Sequence, residues 1–160
     1  MEQIAGYLLE IIEQARPLLH QISAEEASVK PGAERWSKQE ILGHLIDSAG
    51  NNQQKFLRAM QAAGGHGEFV GYAQDFWVNA QHYNTANWVE IIALWEYFNR
   101  HLAHVMQHTA PEKLENTISI DGSQAFSLSF LMADYVEHLK HHLNQILPEA
   151  GFKSSFENLY

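Results

Sequence analysis

The chain has 160 residues, 46% of them hydrophobic and 18% charged, a balance that excludes a disordered or membrane-embedded protein. Nineteen acidic residues against ten lysines and arginines give a net charge of −9, without the basic footprint that a nucleic-acid binder needs. Cysteine is absent, which excludes disulfides, thiolate metal ligands and a cysteine nucleophile.

Ile4, Leu8, Ile11, Ile12, Ala15, Leu19 and Ile22 recur at helical spacing and predict a first amphipathic helix over residues 2–21, kinked near its end by Pro17. Ser23-Ala-Glu-Glu26 has the form of a capping box and predicts a short helical turn, after which Lys30-Pro-Gly32 breaks the chain. Ser37-Lys-Gln-Glu40 is a second capping box, ahead of Ile41, Leu42, Leu45, Ala49, Phe56 and Met60. It opens a second long helix that reaches residue 62 and stops at Gly64-Gly65, with Trp36 placed to staple onto Ile41. Residues 63–86 form a long connection without sustained periodicity. Its aromatics, Phe69, Tyr72, Phe76, Trp77 and Tyr83, argue for a packed lid or wall. A third helix carries the stripe Ile91, Trp95, Phe98, Leu102 and Val105 and ends at Ala110-Pro111. Residues 114–126, with Thr117-Ile-Ser-Ile120 followed by Asp121-Gly122, read as a small hairpin or an extended turn. Ser127 then caps a fourth helix reaching Leu147, and residues 149–160 form an irregular tail. Four amphipathic helices predict an all-α four-helix bundle, one domain over residues 1–160. No apolar run approaches the ~18 residues of a spanning helix, and Met1-Glu-Gln-Ile-Ala lacks the basic segment of a signal peptide. A cytoplasmic protein, without membrane or nucleic-acid partners, is the expectation.

The histidines carry the chemistry. On a wheel of about 100° per residue, His138 and His142 fall within roughly 60° of the apolar centre defined by Leu128, Leu131, Tyr135, Leu139 and Ile146, whereas His141 lies outside it. A His-x-x-x-His pair facing a bundle interior supplies two metal ligands on one face, or else two core histidines hydrogen-bonded to neighbours. A zincin is excluded because Leu139, not glutamate, follows His138. Di-iron carboxylate bundles are excluded because no glutamate stands three residues before a histidine. His44, at the edge of the second helix's stripe, is a third ligand or a part-exposed polar residue; spacing leaves both open. His101, His104 and His108 share a face of the third helix, beside its apolar stripe, and read as a solvated row.

Lys30-Pro-Gly, Trp36-Ser, Glu40-Ile-Leu-Gly-His-Leu-Ile-Asp-Ser48, a long crossover, then Asp134-Tyr-x-x-His-x-x-x-His-x-x-Gln-Ile146 resemble the DinB/YfiT-like metalloenzymes, across nearly the whole chain. The resemblance implies a four-helix bundle with long crossover connections and a divalent metal, zinc or nickel, held by His44, His138 and His142. It further implies a small-molecule substrate, since relatives include transferases and isomerases that use low-molecular-weight thiols such as bacillithiol, mycothiol or glutathione. Homodimers are frequent among them.

Three imidazoles leave a coordination position open, the arrangement of a catalytic site. Asp134 and Gln145 lie one turn from His138 and His142 and are candidates to orient those rings, with Asp47 a further candidate near His44. Tyr72, Phe76 and Trp77 are candidates for the pocket wall. Two other classes stand beside a metal-dependent transferase or hydrolase: a metal-binding bundle without turnover, and a metal-free helical interaction module.

Overall fold

The structure is a computed structural model in which residues 1–153 are described. The first helix, α1 (Glu2–Leu19), buries Ala5, Leu8, Ile12, Ala15 and Leu19 along one stripe; Pro17 sits exposed in its last turn, and the helix ends two residues later. The short α2 (Ala24–Ser28) starts at Ser23, whose side chain accepts a hydrogen bond from the Glu26 N–H. α3 (Lys38–Gln61) opens on a complete capping box: Ser37 Oγ accepts from the Glu40 N–H, and the Glu40 carboxylate accepts from the Ser37 N–H. Each of these caps satisfies backbone donors that the first helical turn leaves unpaired. α5 (Trp88–Gln107) is capped by Asn87 and α6 (Leu128–Ile146) by Ser127.

α1 packs on α5 and α6, and α3 packs on the same two, which sets the cyclic order α1–α5–α3–α6. The long helices that follow one another as α1 and α3, and as α5 and α6, therefore stand across the diagonals, so the connections between them must cross an end of the bundle. Fully buried Leu8, Ile12, Leu42, Leu45, Trp95, Leu102, Tyr135 and Leu139 bring all four helices into one core. Among the described residues, no helix is long and apolar enough to cross a membrane.

The connections hold more order than their sequence suggests. Residues 63–86, read as a connection without periodicity, contain β1 (His66–Phe69) and the short α4 (Gln74–Ala80). The expected hairpin is present as β2 (Thr117–Ile120) and β3 (Phe126–Ser127), paired antiparallel. β2 also pairs parallel with β1, giving a three-stranded sheet in the order β1-β2-β3. Four residues cannot show a period by themselves, and a parallel partner some fifty positions away leaves no local signal. Asp121, at the tip after β2, closes the far edge by accepting a hydrogen bond from the Gly71 N–H at 3.0 Å. The tail begins with a turn at Pro148–Ala150; residues 154–160 lie outside the described residues.

α3 is buried on every side from Gln39 to Ala49, although its face carries Gln39, Glu40, His44, Asp47 and Ser48. Buried polar groups need partners, and the long connection supplies those of Gln39 and Asp47. Gln39 Nε2 donates to the Tyr83 and Ala86 carbonyls at 2.5 and 2.6 Å. Lys30 meets the Glu40 carboxylate at 2.8 Å. The Tyr83 ring lies directly on the backbone of α3 because residue 43 is glycine: a Cβ there would stand 2.2 Å from the ring.

Candidate metal centre

His44 comes from the second turn of α3, and His138 and His142 from successive turns of α6, the helix packed beside it. His44 is fully buried and the other two are half-buried. One nitrogen from each ring lies within 4.8 Å of the other two. The Nε2 atoms of His44 and His138 are 3.3 Å apart. The three rings stand edge-on to one another, at 70–71°, with centroids 4.6–5.3 Å apart. Among the described residues, no other group of three histidines and acids converges in this way.

The surroundings fix how the rings present themselves. His138 Nδ1 lies 3.3 Å from Ser48 Oγ, and His142 Nδ1 lies 3.0 Å from Gln145 Oε1, so the Nε2 of each ring is turned to the common point. His44 Nδ1 is buried without a hydrogen-bond partner, and the Trp36 ring covers its own ring at 5.0 Å. Burial holds all three rings neutral. It draws His44 down to about 4, helped by repulsion from His142, and His138 to about 2, helped by His142, His44 and His141. His142 moves the same way by burial, opposed by its bond to Gln145.

These features fit a divalent ion. Zinc–imidazole bonds of about 2.0–2.1 Å in a tetrahedron put ligand nitrogens about 3.3 Å apart, which is the His44–His138 spacing. The donors are neutral and need lose no proton to ligate.

Two of the rings, His138 and His142, open on a cavity of about 620 Å³ between α3, α6 and the sheet, with His44 behind them. His138, His141 and His142 line one part of it, and Lys55, Asp134 and Phe130 another. The expected orienting residues separate here. Gln145 is at His142. Asp134 lines the cavity and exerts its charge on Lys55. Asp47 turns to the long connection instead, its Oδ1 accepting from Tyr83 OH at 2.8 Å and Gln81 Nε2 at 2.6 Å. Burial raises the Asp47 carboxyl, and those two bonds pull it back.

Of the three wall candidates, Tyr72 lines the cavity; Trp77 does not line it but packs against Tyr72, the rings tilted and their centroids 4.9 Å apart. Phe76 does not line it: α4 turns Val78 inward, and Phe76, two residues earlier on the opposite side, is 69% exposed. Ser48 at His138 and Trp36 at His44 had no site role in the sequence reading, which placed Trp36 as a staple on Ile41. The signal for Ser48 is its position four residues after His44, on the same helix face.

A four-helix bundle with diagonal connections and a buried three-histidine centre on a cavity defines the class of protein. The chain belongs to the DinB superfamily, whose profile matches residues 7–146. Among solved structures it is similar to YfiT from Bacillus subtilis, described as a probable metal-dependent hydrolase with an unusual four-helix bundle topology; the TM-score is 0.80 at 16% identity, over 93% of this chain and 84% of that one. It is similar to a mycothiol-dependent maleylpyruvate isomerase, with a TM-score of 0.73 at 12% identity, over 91% of this chain but 60% of that one. A DinB-like protein, YjoA from Bacillus subtilis, matches with a TM-score of 0.62 at 16% identity, over 98% and 96% of the two chains. At these identities the likeness is one of fold. No curated protein matches the sequence significantly.

Proposed function

We propose that the protein is a divalent-metal-dependent enzyme in which His44, His138 and His142 hold zinc or nickel, and that it transfers a small thiol to an electrophilic acceptor in the adjoining cavity. The observation that carries this reading is the meeting of three neutral imidazoles, two of them lining a cavity of about 620 Å³. The ion, when bound, supplies a Lewis acid that favours the thiolate over the thiol. The protein's own part is positional. Ser48 and Gln145 fix two of the rings, Trp36 covers the third, and the cavity, with Tyr72 on its wall, orients the organic partner. The thiol part of the reading draws on the mycothiol-dependent isomerase, which shares the fold. Within this reading the enzyme works in the cytoplasm, and a homodimer would use the exposed face of α5.

The test has two stages. Protein purified without chelator should contain about one zinc or nickel per chain by elemental analysis, and the metal-loaded protein should conjugate bacillithiol or glutathione to 1-chloro-2,4-dinitrobenzene. A bound ion with no conjugation favours a metal-binding bundle without turnover. Protein that neither contains nor takes up metal overturns the reading in favour of a metal-free helical module.

A further inference from the structure

α3 continues past the histidine centre along a wall of the cavity. His44, Ser48, Asn52 and Lys55 follow at spacings of four, four and three residues and so share one helix face. Ser48, which touches His138, and Lys55 both line the cavity. The seven residues between them correspond to a rise of roughly 10 Å along the helix.

Lys55 is the one lysine or arginine among the described residues of the cavity wall, in a chain whose net charge is −9. Lys55 is half-buried, and an ammonium group drawn partly out of water gains from a counter-charge or acceptor. Yet Lys55 makes no hydrogen bond or ion pair with a described residue; its Nζ stands 5.6 Å from the centroid of the Phe69 ring. Burial draws it toward the neutral form, while the charges of Asp134 and Asp121 hold it as ammonium without pairing with it directly. Gln74 and Gln124 line the same cavity, and their side-chain amides make no hydrogen bond with a described residue. One half-buried cation and two exposed amides therefore line the same space.

We propose that Lys55 is the anion-recognition residue of this cavity, and that the substrate is an elongated small molecule carrying a carboxylate roughly 10 Å from the group that meets the histidines. Gln74 and Gln124 supply further donors to that carboxylate. A cavity of about 620 Å³ holds a molecule of this kind. The position of the reactive end rests on the proposed metal centre; the anion subsite stands on Lys55 and its neighbours.

Four probes of one chain length separate the two: 8-mercaptooctanoate, 8-mercaptooctanol, octanoate and octanol, titrated calorimetrically into the zinc-loaded full-length protein. The carboxylate probes should bind roughly tenfold tighter than the matching alcohols, a preference that weakens with added salt. Lys55→Met should abolish that preference without weakening the alcohols, and Lys55→Arg should keep it. Equal binding of acid and alcohol by the unaltered protein overturns the proposal, as does a preference that survives Lys55→Met. Should Lys55→Met fail to fold, Lys55→Gln and the salt dependence decide in the same sense. Failure of the metal reading appears on the other axis: thiol probes then bind no tighter than thiol-free ones, and octanoate against octanol still decides the role of Lys55.

Discussion

His101, His104 and His108 stand three and four residues apart along α5, whereas His44, His138 and His142 are drawn from two helices nearly a hundred residues apart in the chain. The α5 row is exposed; neighbouring ring centroids are 6.4 and 4.1 Å apart, and His108 Nδ1 lies 2.8 Å from the His104 carbonyl of its own helix. The other set is buried or half-buried, its rings are edge-on to one another, and Ser48 and Gln145 engage the far nitrogens of two of them. The residue type is the same in both. What differs is whether packing brings the free nitrogens to one point. A single straight helix can align two such rings, while a converging third comes from a neighbouring element.

The largest effect expected from this contrast is on metal content. His142→Ala should lower zinc or nickel retained after dialysis from about one ion per chain to near zero, and conjugating activity by at least about 100-fold, as elemental analysis and the thiol assay would record. His101→Ala with His104→Ala should leave both unchanged. Equal losses from the two sets would remove the distinction between them.

The metal-free protein should next show a pH dependence that the buried rings impose. Their pKa values are depressed in the folded state, so the unfolded chain binds more protons as pH falls below the ordinary histidine value of about 6.5. Stability is therefore full above about pH 6.5 and declines as pH falls toward 4, where His44 titrates. His44 alone contributes a loss of about 2 kcal/mol at pH 5, by linkage; His138 and His142 act in the same direction. Urea unfolding at pH 7 and pH 5 measures it, and His44→Gln should flatten the slope.

Gly43→Ala sharpens the comparison from the supporting side. The new Cβ, 2.2 Å from the Tyr83 ring, must displace it, and with it the bond to Asp47. A destabilisation of about 1–3 kcal/mol is expected in urea or thermal unfolding. The smallest effect belongs to Gln145→Leu, which frees His142 Nδ1 and should weaken metal affinity about tenfold while leaving the fold intact, as competition with a chromogenic chelator would show.

Much of the frame could be read from the chain. The Ser37/Glu40 capping box, the Ser127 cap and the 3.6-residue stripes are local signals, because each cap bonds within its own turn. The inward face of His138 and His142 followed from the same periodicity. The association of His44 with them came through a family resemblance, since spacing along α3 alone left it open. What stayed hidden depends on contacts between distant segments. The parallel pairing of β1 with β2 and the Tyr83 ring seated on Gly43 join residues about fifty and forty positions apart, while the Trp36 ring on His44 crosses from a connection onto a helix. Phe76 was misplaced for a related reason: a seven-residue helix has too few positions to reveal which side faces in, and Val78 took that side.

The central claim is tested most directly by crystals grown with zinc or nickel, measured at the absorption edge of the metal. The account predicts one anomalous peak per chain, bounded by nitrogens of His44, His138 and His142 at about 2.0–2.2 Å. A peak confined to His101, His104 and His108, or no peak between α3 and α6 at saturating metal, would contradict it.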